Sequence, residues 1–236
     1  MNKILDCKNV NASYDGMNVL TNLSFSINEG DFLCILGENG SGKSTLVKCL
    51  LGIKNADSGE IILGNGLKHT DIGYLPQNTV MQKGFPATVQ EVVISGCLGR
   101  RGIRPFYSSA EKKVAHNAME ILGISELSSR SCRELSGGQQ QRMLLARALC
   151  AAKKMILLDE PVTGLDPAAS AEMYGLIKEL NQNDKMTILM VSHDIERAVD
   201  YASHVLHLGK SNSFFGTTEE YATSDVSNKF IGEQQI

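Results

Sequence analysis

The sequence predicts an α/β fold: a parallel-centred sheet, an N-terminal antiparallel β layer and an inserted α-helical subdomain. Two continuous apolar runs, residues 32–36 and 155–158, have the character of strands covered on both faces. Strand and helix patterns alternate around them at the spacing of parallel strand–helix–strand units. Residues 88–152 read as helical throughout and separate the two sheet halves. The 236 residues are therefore expected to form one domain, with a core at about 1–84 and 153–236 and a helical insertion at about 85–152.

The elements follow in order. Leu23, Phe25 and Ile27 alternate with Asn22, Ser24 and Ser26, the period-two pattern of a half-buried strand. Asp15-Gly16 is a turn between that strand and residues 10–14, so the two pair antiparallel. After Glu29-Gly30, the run 32–36 feeds a glycine-rich loop. A helix follows with Leu46, Cys49 and Leu50 on one face and Gly52 as its stop. Thr88-x-x-Glu91, Ser108-x-x-Glu111 and Ser136-x-x-Gln139 fit the capping box, in which the first side chain caps the backbone and the last reaches back. Val114, Ala118, Ile121 and Leu122 keep one apolar face until Gly123. Asp166-Pro167 opens a helix whose apolar face is Met173, Leu176, Ile177 and Leu180. A third core strand at 187–191, a short helix at 195–202, and a hairpin of 205–208 with 213–215 around Gly209 close the chain.

Composition excludes several classes. With 23 Lys+Arg against 26 Asp+Glu the formal charge is −3, which gives no general pull toward nucleic acid. At 42% hydrophobic and 21% charged the chain can fill a core. No apolar run approaches the roughly 20 residues that span a bilayer. The opening residues reach a charge at Lys3 without an apolar stretch, so no secretory signal is expected. Cys7, Cys34, Cys49, Cys97, Cys132 and Cys150 form no C-x-x-C pair and are expected to be reduced, buried thiols of a cytosolic protein.

Gly37-Glu38-Asn39-Gly40-Ser41-Gly42-Lys43-Ser44, with Thr45 beyond, matches the phosphate-loop pattern G-x-x-x-x-G-K-[ST] at every fixed position. Glycines let successive backbone N–H groups turn inward around a phosphate, and the following helix adds its positive end. Lys43 can reach the β- and γ-phosphates of a nucleotide, and the Ser44 hydroxyl can ligate Mg²⁺. At the end of the second apolar run stand Asp159 and Glu160. Strand alternation predicts that they point to opposite sides and do different work. Asp159 is the expected partner of Mg²⁺, acting through a water or another ligand, and Glu160 the expected base or water-orienting group at the γ-phosphate.

Leu135-Ser136-Gly137-Gly138-Gln139, followed by Gln140-Gln141-Arg142, resembles the signature of ATP-binding-cassette (ABC) ATPases, and the resemblance runs from end to end. In the same register Gln77, in Gly73-Tyr74-Leu75-Pro76-Gln77, resembles the Q-loop glutamine that touches Mg²⁺ or the water. His193 resembles the switch histidine that senses the γ-phosphate, and Gly164-Leu165-Asp166 the D-loop. That loop begins Thr163-Gly164 where many members have Ser-Ala. Tyr14 sits where the family places an aromatic that stacks on adenine. The signature also has a physical reading. Ser136 as N-cap with Gly137 and Gly138 in the first turn presents N–H groups and a hydroxyl at a positive helix end. The resemblance implies that this second anion site closes on ATP held by a twin subunit, so that two ATP molecules assemble a dimer and hydrolysis opens it.

The resemblance further implies integral membrane permease subunits, an extracytoplasmic solute-binding protein acting indirectly, and a place on the cytoplasmic face of the membrane. The permease contact is expected at about 79–104, where Met81, Phe85 and Val89 are apolar candidates for exposure and Arg100, Arg101 and Arg104 form a basic cluster. The segment 85–93, with Gly96 beyond, looks most like the ATPase subunits of zinc and manganese importers. Siderophore and cobalamin importers carry a related segment, and a soluble ABC ATPase of iron–sulfur assembly is the alternative of a different class. His204-x-x-His207 is not expected to be a metal site, because i and i+3 of a strand face apart.

Overall fold

Alternation along the first thirty residues yields two long paired strands, β1 (Lys3–Tyr14) and β2 (Met17–Asn28), in the computed structural model. It describes residues 2–77, 86–101, 104–193, 199–209 and 213–227. Tyr14 lies opposite Met17, joined by Asp15 (φ 49°) and Gly16 (φ 78°). Two successive left-handed residues give the turn a twist that matches the strands. Leu23, Phe25 and Ile27 are buried and Asn22 and Ser24 exposed, as the alternation requires. Next comes β3 (Phe32–Gly37), buried at all six positions, and then α1 (Lys43–Leu50). The strand β4 (Ser58–Leu63) was not foreseen. Ile62 stays 41% exposed and its neighbours are only half-buried, so no clean period marks the segment.

The remaining elements are β5 (Ile72–Leu75), α2 (Val89–Ile94), α3 (Leu98–Arg101), α4 (Ser109–Ile121), α5 (Gly137–Ala151), β6 (Met155–Asp159), α6 (Pro167–Gln182), β7 (Thr187–Val191), β8 (His204–Leu208) and β9 (Phe214–Thr217), with a short helix at Thr218–Ala222. The chain divides into two compact units, Met1–His69 with Lys185–Ile236, and Thr70–Asp184.

The first unit holds two sheets. One is antiparallel in the order β2-β1-β4. In the other, β3 runs parallel between β7 and β8, with Phe32 opposite Ile188 and Cys34 opposite Val205. β9 adds an antiparallel edge to β8, the hairpin expected around Gly209. Continuous apolar strands suit this interior: Leu33, Ile35, Ile188, Leu189, Val205 and Leu206 have no exposed surface. Thr187, which opens β7, is also fully buried, and its Oγ1 accepts the Gly30 N–H at 2.9 Å.

In the second unit β5 and β6 pair in parallel, Ile72 opposite Met155, and α2 and α4 pack on α5. All three capping boxes form, on Thr88, Ser108 and Ser136. A Cβ on Gly96 would collide with the Arg147 carbonyl and approach Cys150 Cβ at 2.8 Å, so glycine lets this turn press against α5. Two expectations need correction. Val89 is fully buried rather than exposed, because the first turn of α2 faces the helical core. Burial of one such side chain stabilises by about 1.5 kcal/mol or more. On α4, Ile121 is 46% exposed, while Ala115 and Met119 share the buried face with Ala118. Arg104 pairs with Glu111 at 2.9 Å. Met81 and Phe85, and residues 195–198 of the helix expected at 195–202, lie outside the described residues.

Candidate functional site

The phosphate-loop residues lie in the first unit, at the C-terminal end of β3. Gly37 (φ 142°), Gly40 (φ 81°) and Gly42 (φ 97°) take backbone angles that side chains disfavour. Space is as restrictive as angle. A Cβ on Gly37 would meet Ser41 Oγ at 2.6 Å, and one on Gly42 would meet the Val19 carbonyl at 2.6 Å. Helix α1 starts at Lys43 with no side-chain cap and no acid in its first turn. The cap residue, Gly42, brings no side chain to that helix start, which leaves room there for an anion. Lys43 is only 8% exposed, and its Nζ donates to the Gly37 and Glu38 carbonyls at 2.6 and 2.8 Å. Ser41 Oγ is buried without a hydrogen-bond partner. A buried hydroxyl left unsatisfied costs about 1–3 kcal/mol, which a phosphate oxygen would relieve. Glu38, Asn39 and Ser44 are exposed and Thr45 is buried. These features fit a nucleotide triphosphate.

Tyr14 ends β1 in the same unit and is 51% exposed. The Lys48 ammonium of α1 stands 5.4 Å from its ring centroid, a cation–π contact that the sequence did not disclose. His193 follows β7 by two residues and is exposed.

The second unit carries the carboxylates and the signature. β6 ends at Asp159, whose Oδ2 lies 3.4 Å from the Tyr74 hydroxyl. Burial, with Asp159 beside it, pushes the Tyr74 phenol up to about 12, so it stays a donor at neutral pH. Glu160 departs from strand alternation. Its φ of 53° is left-handed, so the chain turns there instead of extending the pleat. Its Oε2 accepts Gln77 Nε2 at 2.7 Å and Thr163 Oγ1 at 3.1 Å. Gln77 and Glu160, far apart in sequence, are thus in direct contact.

Ser136 caps α5: Oγ accepts the Gln139 N–H at 3.4 Å, and Gln139 Oε1 accepts the Ser136 N–H at 3.0 Å. Asp166 caps α6 through Ala169, and Pro167 fills the first helical position. Ser136, Gly137, Gly138, Gln139 and Asp166 line one cavity of about 540 Å³. An ion pair between Arg142 of α5 and Glu172 of α6 ties the two helices beside it. Among the described residues no three His, Cys, Asp or Glu side chains gather as a metal site. His204 lies 2.9 Å from Ser203 Oγ, and His207 is buried 2.9 Å from the Tyr221 hydroxyl. All six cysteines are buried free thiols.

Fold and phosphate loop define a nucleotide-binding protein of the phosphate-loop class. The ABC transporter family model matches residues 20–163. The zinc uptake system ATP-binding protein ZurA of Listeria innocua is 37% identical, with 100% of this chain and 95% of that protein covered. The manganese transport system ATP-binding protein MntB of Bacillus subtilis is 37% identical, covering 97% of this chain and 92% of the relative. A metal-chelate type ABC transporter solved in an inward-facing conformation superposes with a TM-score of 0.86 at 35% identity, over 95% of this chain and 87% of that one. The chain belongs to the ABC transporter family and is an ATP hydrolase of its ATPase class.

Proposed function

We propose that this chain is the ATP-hydrolysing subunit of an importer for a divalent metal ion, zinc ahead of manganese. One observation carries the substrate: full-length similarity to a zinc-uptake ATP-binding protein, with a manganese-transport protein equally identical. Separate permease subunits carry the ion across the membrane; among the described residues of this chain no helix is long and apolar enough to cross one. Two copies closing on two ATP molecules at the cytoplasmic face would drive them, with an extracytoplasmic solute-binding protein delivering the ion.

The residues divide the labour. Tyr14 stacks on adenine. The backbone of Gly37, Glu38, Asn39, Gly40, Ser41 and Gly42, with Lys43 and Thr45, cradles the phosphates. Ser44, Gln77 and Asp159 supply oxygen donors suited to Mg²⁺, which when bound neutralises charge on the β- and γ-phosphates. Glu160 orients or deprotonates the attacking water, and His193 contacts the γ-phosphate. Ser136, Gly137, Gly138 and Gln139, with Asp166 beside them, complete the pocket of the twin. Unsatisfied Ser41 Oγ and the uncapped start of α1 support the phosphate assignment.

The test is uptake of radioactive zinc and manganese by cells lacking the chain and complemented with it. Zinc uptake lost on deletion and regained on complementation supports the reading. Unchanged uptake of both ions, with the chain recovered on a soluble scaffold rather than a polytopic permease, ends it.

A further inference from the structure

We propose that Thr163 is a positioning residue for the ATPase reaction: its hydroxyl holds the Glu160 carboxylate in its working orientation. The inference rests on the reading of Glu160 as the group that orients or deprotonates water. The local chain explains how the contact arises. Glu160-Pro161-Val162-Thr163 is a four-residue turn, closed by the Thr163 N–H donating to the Glu160 carbonyl at 3.2 Å. Proline at its second position fixes φ in the range such a turn needs. Closing the turn brings residue 163 back over residue 160, and a hydroxyl there reaches Oε2 at 3.1 Å.

The carboxylate has reason to need such a hold. Glu160 stands past the end of β6 with φ 53°, so strand pairing no longer fixes its direction. Gln77 donates to the same oxygen at 2.7 Å, from the end of a different strand. Two donors converging on one oxygen confine the side chain in a way that either alone would not. Thr163 also begins the loop through Gly164 (φ 80°) to Asp166, the cap of α6. The hydroxyl therefore links the carboxylate to the segment that lines the signature cavity.

Threonine at 163 is exposed, so Thr163→Val keeps shape and removes only the hydroxyl. On the full chain with Mg-ATP, Thr163→Val should lower kcat about tenfold, the scale of one hydrogen bond to a charged group. KM and the affinity for a fluorescent ATP analogue should stay within about twofold, because the nucleotide itself loses no contact. Thr163→Ser, which restores the hydroxyl, should recover kcat to within about threefold. In the Glu160→Gln background, Thr163→Val should change the residual turnover little, since the charged acceptor is already gone. If Thr163→Val turns over like the native chain while Glu160→Gln is dead, the positioning role is wrong and the reading of Glu160 stands. Equal loss in the valine and serine variants also overturns it, since that would report damage to the turn. Normal turnover in Glu160→Gln removes the reading of Glu160 itself, and this inference with it.

Discussion

Lys43 ties its own loop together through two backbone carbonyls, 2.6 and 2.8 Å away. An ammonium so placed is already desolvated, and exchanging carbonyl partners for phosphate oxygens strengthens its bonds without a new burial cost. Lys43→Ala should therefore weaken ATP binding by at least about 100-fold in equilibrium titration. Native affinity in that variant would remove the phosphate-loop assignment. Most of this site was legible residue by residue, because the motif fixes both residue type and spacing. Glu160 was not: alternation assigns it a strand direction, whereas its left-handed φ of 53° carries it out of the pleat. Tyr74 and Lys48 carried no signal of their own, and Thr163 only its place at the start of the D-loop. Their relevance comes from partners distant in sequence or reached through a turn.

At the scale of elements, capping chemistry was the most legible feature. Each box joins residues three apart, so no tertiary information is needed to find it. It also sets an acid sensitivity. Backbone and side-chain hydrogen bonds from Thr88 hold the Glu91 carboxyl below its usual 4.5, and bonds from Ser108, with Arg104, do the same for Glu111. Both folded values are lowered, so the stability they confer is present above 4.5 and is lost as pH falls through the folded values. Thr88→Ala should lower the melting temperature by about 2–4 °C at pH 7, and by less as pH falls below 4.5. A gap that persists unchanged at acid pH in calorimetry would mean that the Thr88–Glu91 box does not carry the effect. β4 was illegible for the opposite reason. It is an edge strand with half-buried residues, specified by pairing with β1 and not by its own periodicity.

For the molecule as a whole, the decisive expectation is that one copy supplies an incomplete pocket. The cavity lined by Ser136–Gln139 and Asp166 presents a capped helix start. An equal mixture of Lys43→Ala and Ser136→Ala chains, each inactive alone, should recover about a quarter of native turnover, because half of the pairs contain one intact pocket of two. A mixture that pairs by light scattering yet stays inactive would contradict the shared pocket. The α/β class, the phosphate loop, the signature and the family could all be read from residue order, since these rest on local spacing and on chemistry that only certain residue types can perform. Tertiary structure alone decided that Val89 is core, that Glu160 turns out of its strand, and that Gln77 and Thr163 meet on one carboxylate oxygen. Such contacts depend on where the backbone is carried in space, and a pattern of neighbouring residues does not encode that.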